Sequence, residues 1–180
     1  LGLLCYTFWF AMVLLVPEEK RIADAKTRKL LVVVFILFII QLIYGALMAG
    51  HKAATAAPTW PDINGHIIPP GMIEQDGGLL NLIDNKITIH FIHRGLAYLL
   101  LVFISILTIQ LYRIRKSSLL NKTRWWPLLL MLVQVVLGVI TLLSSLQIEP
   151  NRWGMFEWMA QLHQLVAMLL LLSLCWLLFI

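Results

Sequence analysis

The sequence predicts an all-α fold: a polytopic transmembrane four-helix bundle preceded by part of one further helix. Three observations lead there. Of the 180 residues, 61% are hydrophobic and 13% charged, and the mean hydropathy is +0.88. That is more apolar surface than a soluble domain of this size can hide. Four apolar runs, Leu30–Ala49, Ile87–Tyr112, Pro127–Leu146 and Met159–Ile180, each come close to the roughly 20 residues that cross a hydrocarbon core. All nine acidic residues, and every one of the 14 basic residues except Arg94, fall outside these runs.

The elements follow in order. Leu1–Val16 is apolar but shorter, begins without Met or a basic leader, and is expected to be the tail of a preceding transmembrane helix ended by Pro17. Residues 17–29 carry Lys20, Arg21, Lys26, Arg28 and Lys29, and residues 113–124 carry Arg113, Arg115, Lys116, Lys122 and Arg124. Residues 51–86 carry only Lys52 and Lys86, and residues 147–158 only Arg152. Basic-rich loops stay in the cytoplasm. Loops 17–29 and 113–126 are therefore expected inside, and loops 51–86 and 147–158 outside, an inner (cytoplasmic) membrane of a cell. Residues 30–180 form the four-helix part. The net charge of +5 is a topology signal divided between two loops, so no nucleic-acid partner is expected.

Pro127 stands in the first turn of its run, where its missing N–H costs nothing. Trp125 and Trp126 at one boundary, and Trp153 and Trp158 at the other, read as an interfacial aromatic belt. The stretch from Gly50 to Lys86 contains Pro58, Trp60, Pro61, Gly65, Pro69, Pro70, Gly71, Gly77 and Gly78, and is expected to be ordered by turns and not by a helix. A connection this long is either a functional lid or a passive connector. Gly45/Ala49 and Ala46/Gly50 have the small-xxx-small spacing of closely packed helices. Cys5 and Cys175 both lie in apolar runs, which disfavours a disulfide framework or a thiolate metal site.

The chain has five histidines. His51 and His66 belong to the long loop and read as solvated or hydrogen-bonded loop residues. His93 and His163 lie inside apolar runs, where an ionisable side chain marks a function by default. His93 is six residues past Ile87 and His163 four past Met159, so at about 1.5 Å per residue their depths are nearly equal. Neutral imidazole is a good ligand for haem iron, and facing helices of a membrane bundle suit a macrocycle. Two histidines at matched depth on different helices are candidates to bind one iron from opposite faces. Arg94 is then a candidate partner for a haem propionate, while Gly95 and Ala97 leave space for a ring edge. His90, one turn before His93, is a candidate to support that ring or to ligate in its place; Gln161 and Gln164 flank His163. The competing explanation is interhelical hydrogen bonding without a cofactor. Zinc is disfavoured, because no third and fourth ligand converge.

Four strings carry a family resemblance. They are Gly45-Ala46-Leu47-Met48-Ala49-Gly50 continued by Lys52-Ala53 and Pro58-Thr59-Trp60-Pro61-Asp62-Ile63-Asn64-Gly65; Phe91-Ile92-His93-Arg94-Gly95-Leu96-Ala97-Tyr98; Gln134 through Leu143; and Leu162-His163-Gln164. In this order and on these elements, they resemble the haem A synthase family, over essentially the whole chain. The resemblance implies an eight-helix oxidoreductase of two similar halves that converts a methyl group of haem O to the formyl group of haem A. It implies that the later half holds haem b through one histidine of a His-Arg motif and one of a His-Gln motif, here His93 and His163. It further implies haem O as substrate, an electron donor of unspecified identity, and haem O synthase or a terminal oxidase as partners. The earlier half, with the substrate-side histidines and an acidic loop residue, has no match here, so no catalytic residue is assigned. Two other expectations stand beside it: a bis-histidine cytochrome that only transfers electrons, and a haem-free membrane assembly factor.

Overall fold

The computed structural model describes residues 1–18, 24–72, 78–114, 118–149 and 151–180. Its helices are α1 (Gly2–Leu15), α2 (Ala25–Gly50), α3 (Asn81–Asp84), α4 (Lys86–Arg113), α5 (Ser118–Thr123), α6 (Trp126–Leu143) and α7 (Met155–Phe179). Among the described residues the fold is all-α, with a single isolated bridge between Ile63 and His66. Four helical stretches are long and apolar enough to cross a membrane: Ala25–Gly50, Lys86–Arg113, Ser118–Leu143 and Met155–Phe179. Helix α1 is apolar but shorter. Exposed apolar residues run along these helices, among them Val32, Val33, Ile36, Ile40 and Ile43 on α2 and Leu129, Leu132, Val133, Val136 and Ile140 on α6. Continuous apolar faces of this size suit lipid and not water. The chain is a multi-pass membrane protein.

Capping sets the helix starts. Asp24 accepts a hydrogen bond from the Thr27 N–H at 2.9 Å, which is N-cap chemistry. Bonding from the Thr27 hydroxyl and N–H holds the Asp24 carboxyl below its ordinary range. Helix α2 consequently begins five residues before its apolar run, and Lys26, Arg28 and Lys29 ride on it instead of lying in a loop. Lys20, Arg21, Arg115, Lys116 and Gly77 lie outside the described residues. Asn85 caps α4, its Oδ1 accepting from the N–H groups of Ile87 and Thr88 at 3.0 Å each. The Glu157 carboxylate reaches back to the Gly154 N–H at 2.8 Å; this half of a capping box starts α7 at Met155, four residues earlier than its apolar run suggests.

The long loop departs from the expectation of turns alone. Ala53–Ala56 and Gly78–Leu80 form 3-10 turns, and α3 follows directly. The run Leu80-Asn81-Leu82-Ile83-Asp84 contains neither Pro nor Gly, so nothing in it opposes helical dihedrals.

The chain divides into two compact units. One comprises Leu1–Phe38, Leu100–Gln134 and Gln164–Ile180. Its core holds Leu31, Val34 and Phe38 from α2, Leu100, Ile104, Leu107 and Leu111 from α4, and Leu170, Leu171 and Leu174 from α7. Spacings of three and four keep each set on one helix face. The Trp176 indole donates to the Thr123 hydroxyl at 2.9 Å, and Trp9 meets Phe179 edge-on at 5.1 Å. The other unit comprises Ile39–Leu99 and Val135–His163 and contains all five histidines.

Candidate functional site

The second unit begins from a folded loop. Asp62, Asn64 and Gly65 make a tight turn in which Asn64 and Gly65 take positive φ values of 53° and 85°, the left-handed region that Asn and Gly tolerate. The Asp62 carboxylate accepts from the Gly65 N–H at 2.8 Å and from the Thr59 hydroxyl at 2.7 Å. The Thr59 hydroxyl oxygen accepts from the Asn64 N–H at 2.8 Å, and the Asn64 side chain donates to the Ala56 carbonyl at 3.0 Å. Ala53, Ala57 and Ile63 of this loop are buried. At the other side, the Ser145 hydroxyl donates to the Ala54 carbonyl at 3.2 Å, tying the two loops of this unit together. Asn85 donates to the Gly71 carbonyl at 2.9 Å, and Thr88 donates to the Met72 carbonyl.

Hydrogen bonding from Gly65 and then Thr59, with the positive charge of Arg94, holds the Asp62 carboxyl below its usual range. A depressed carboxyl stabilises the folded loop above its unfolded value, and that contribution is lost as pH falls through the folded one. The turn is therefore expected to loosen only on acidification below the ordinary carboxylate range. In Asp62→Asn it is expected to be loose at every pH. Amide exchange at Gly65 between pH 3 and pH 7 reads this; equal protection in both proteins at both pH values would contradict it.

Arg94 joins this loop to α4. Its guanidinium donates to the carbonyls of Asp62 at 2.6 Å, Thr59 at 2.7 Å and Ala57 at 3.1 Å. Three neutral acceptors satisfy its donors without cancelling its charge. The cost of a guanidinium near the end of an apolar span is thereby offset by ordering the loop, a role its position beside His93 did not reveal.

His93 and His163 occupy similar positions along their helices. His93 is seven residues into α4 and His163 eight into α7, closer agreement than the apolar runs alone give. The two side chains lie within electrostatic reach of each other. Each ring is backed by a glycine of the helix that precedes its own loop. A Cβ on Gly45 of α2 would come to 3.5 Å from Cε1 of His93, and one on Gly138 of α6 to 3.0 Å from Cε1 of His163. By contrast, a Cβ on Gly50 or Gly95 would meet nothing within 4 Å. The close approach on α2 is therefore made by an imidazole, at Gly45. Nδ1 of His93 is buried without a hydrogen-bond partner. Its Nε2 lies 3.4 Å from Nε2 of Gln41.

These contacts predict unequal tolerance. Gly45→Ala makes an ordinary contact, whereas Gly138→Val must push the His163 ring aside. Gly138→Val is expected to disturb whatever property depends on His163, and Gly45→Ala to leave the His93 side intact. Thermal stability and any haem spectrum of the two variants check this; equal effects would contradict it.

The remaining histidines separate. Nδ1 of His51 bonds to the Leu47 carbonyl at 3.1 Å, and its Nε2 lies 3.5 Å from Asp84, so it fastens the end of α2 to α3. His66 is exposed and takes part in the turn through its backbone. His90 is 1% exposed, with neither ring nitrogen hydrogen-bonded. Sequence reasoning overlooked Gln41, an amide in the middle of an apolar run. Its signal is the repeated spacing Gln41-x-x-x-Gly45 and Gln134-x-x-x-Gly138, where each glycine is the one that faces an imidazole.

Comparison with known proteins gives the chain its relatives. The chain is 38% identical over 116 residues to the Heme A synthase of Wolbachia sp. subsp. Brugia malayi, covering 64% of this chain and 32% of that protein. It is 33% identical over 139 residues to that of Bartonella henselae, covering 76% and 36%. It is 31% identical over 173 residues to that of Pelagibacter ubique, covering 96% and 47%. The chain thus spans 32% to 47% of the length of these curated relatives. No solved structure matches it significantly. The family described as cytochrome oxidase assembly protein, COX15-CtaA, matches residues 1–175, and the chain belongs to that family.

Proposed function

We propose that this chain is the haem-holding C-terminal half of a haem A synthase-type oxidoreductase, with haem b ligated by His93 and His163. The carrying observation is the pair of imidazoles at matched depth on α4 and α7, each seated on a glycine. The donor set fits a haem: two imidazoles in apolar spans, His93 with a buried ring nitrogen that no protein group satisfies, and each ring lying against a glycine of a neighbouring helix. When bound, the group supplies reversible one-electron chemistry at its iron.

The chain's own residues do the rest. His93 and His163 would hold the iron through their ring nitrogens, and the apolar helix faces would exclude water. Arg94 bonds to neutral carbonyls, keeps its positive charge and offers it to a propionate while pinning the loop. In this reading residues 1–16 are the tail of a preceding transmembrane helix, loops 17–29 and 113–126 are cytoplasmic, and loops 51–86 and 147–158 are external in the inner membrane. The substrate is haem O, whose methyl group becomes the formyl group of haem A in a reaction completed with the other half found in full-length relatives.

Cells deleted for the full-length gene and complemented with it test the enzyme reading by pigment analysis. Haem A is expected to disappear on deletion, with haem O accumulating, and to return on complementation. Equal haem A with and without the gene would sink the synthase reading and leave an electron-transfer cytochrome.

A further inference from the structure

Gln41 lies in the middle of the α2 span, one turn before Gly45, with its side-chain nitrogen 3.4 Å from Nε2 of His93. An amide NH2 only donates. With the amide oriented as it is, Nε2 of His93 takes the acceptor role and the ring proton is assigned to Nδ1. Stability does not account for this contact. Oε1 of Gln41 and Nδ1 of His93 are both buried without partners, and a buried unsatisfied group is costly. A leucine at position 41 would remove the orphaned Oε1 and leave Nε2 of His93 bare instead, so the count of unsatisfied groups does not favour the amide, while the apolar span favours leucine. Gln41 and Gly45 share a helix face, so the residue that backs the ring and the residue that holds its nitrogen act on one imidazole together.

We propose that Gln41 is a placeholder on His93. In the cofactor-free chain its amide occupies the lone pair that a metal takes, keeps the imidazole in the tautomer whose Nε2 can ligate, and gives way when haem binds. This inference rests on the reading of His93 as an axial ligand. Gln41 is a positioning residue in this scheme; it has no bond to the iron.

The sign of the effect distinguishes a placeholder from a structural support. The full-length protein, purified in detergent and stripped of bound haem, is titrated with ferric haem b. Gln41→Leu gives up no hydrogen bond on binding and is expected to take haem about two- to tenfold more tightly than the wild type. A support would bind more weakly when removed. Nitrogen-15 spectroscopy of histidine-labelled, haem-free wild type provides a readout that needs neither a variant nor a cofactor: the His93 ring proton is expected on Nδ1.

A proton found on Nε2 in the haem-free wild type overturns the proposal. So does equal or weaker haem binding by Gln41→Leu, if His93→Ala has lost binding; the axial reading then stands alone. Wild-type protein that takes no haem, or His93→Ala that keeps the wild-type spectrum, overturns the axial reading and this inference with it.

Discussion

Alanine at either His93 or His163 is expected to abolish the low-spin b-type band in a reduced-minus-oxidised spectrum, while alanine at His66 leaves it unchanged. The two central residues lie on different helices at matched depth, so removing either leaves one imidazole. A single imidazole cannot hold iron from both faces, and the low-spin state depends on two strong axial donors. The His93 variant is expected to fold, because its ring makes one long hydrogen bond, to Gln41. His66 is exposed and anchored by its backbone, which makes it a matched control. Retention of the full band in either central variant would show that the iron has another ligand; His90, buried one turn before His93, is the residue to replace next.

The second large effect concerns Arg94. Arg94→Leu removes three hydrogen bonds from the carbonyls of Ala57, Thr59 and Asp62. Bonds to a charged donor contribute about 1.5–3 kcal/mol each where buried. Arg94 is only half-buried and water can reach part of the turn, so the loop is expected to lose about 3 kcal/mol in all. That corresponds to roughly a hundredfold increase in its open population. Amide exchange at Asn64 and Gly65 measures this, and the change should be confined to the loop. Arg94→Lys is expected to recover only part of the protection, because one ammonium cannot reproduce a fork of guanidinium donors. Unaltered exchange in Arg94→Leu would mean that the Asp62–Thr59–Asn64 turn holds itself without the guanidinium.

The spans were legible in the sequence because membrane crossing is a matter of run length and charge exclusion. Helix α4 starts at Lys86, one residue from its apolar boundary, since Asn85 caps where the run begins. Helices α2 and α7 start earlier than hydropathy indicates because polar caps, at Asp24 and at Gly154 with Glu157, override it; both were readable as cap patterns. The similar position of His93 and His163 along their helices was legible from spacing alone. Their glycine seats were not, because spacing does not tell which neighbouring helix a ring touches. Arg94 was legible as an expensive charge, yet its acceptors are backbone carbonyls, whose directions side-chain identities do not encode. Gln41 was hidden for a related reason. One amide in an apolar run resembles a tolerated exception until a ring nitrogen is found beside it.

The most direct test of the account is low-temperature electron paramagnetic resonance, with near-infrared magnetic circular dichroism, on the oxidised full-length protein. A low-spin ferric haem with two imidazole ligands is expected, and is lost in both His93→Ala and His163→Ala. A haem in this half that is high-spin, or ligated by one imidazole and a different group, would contradict it.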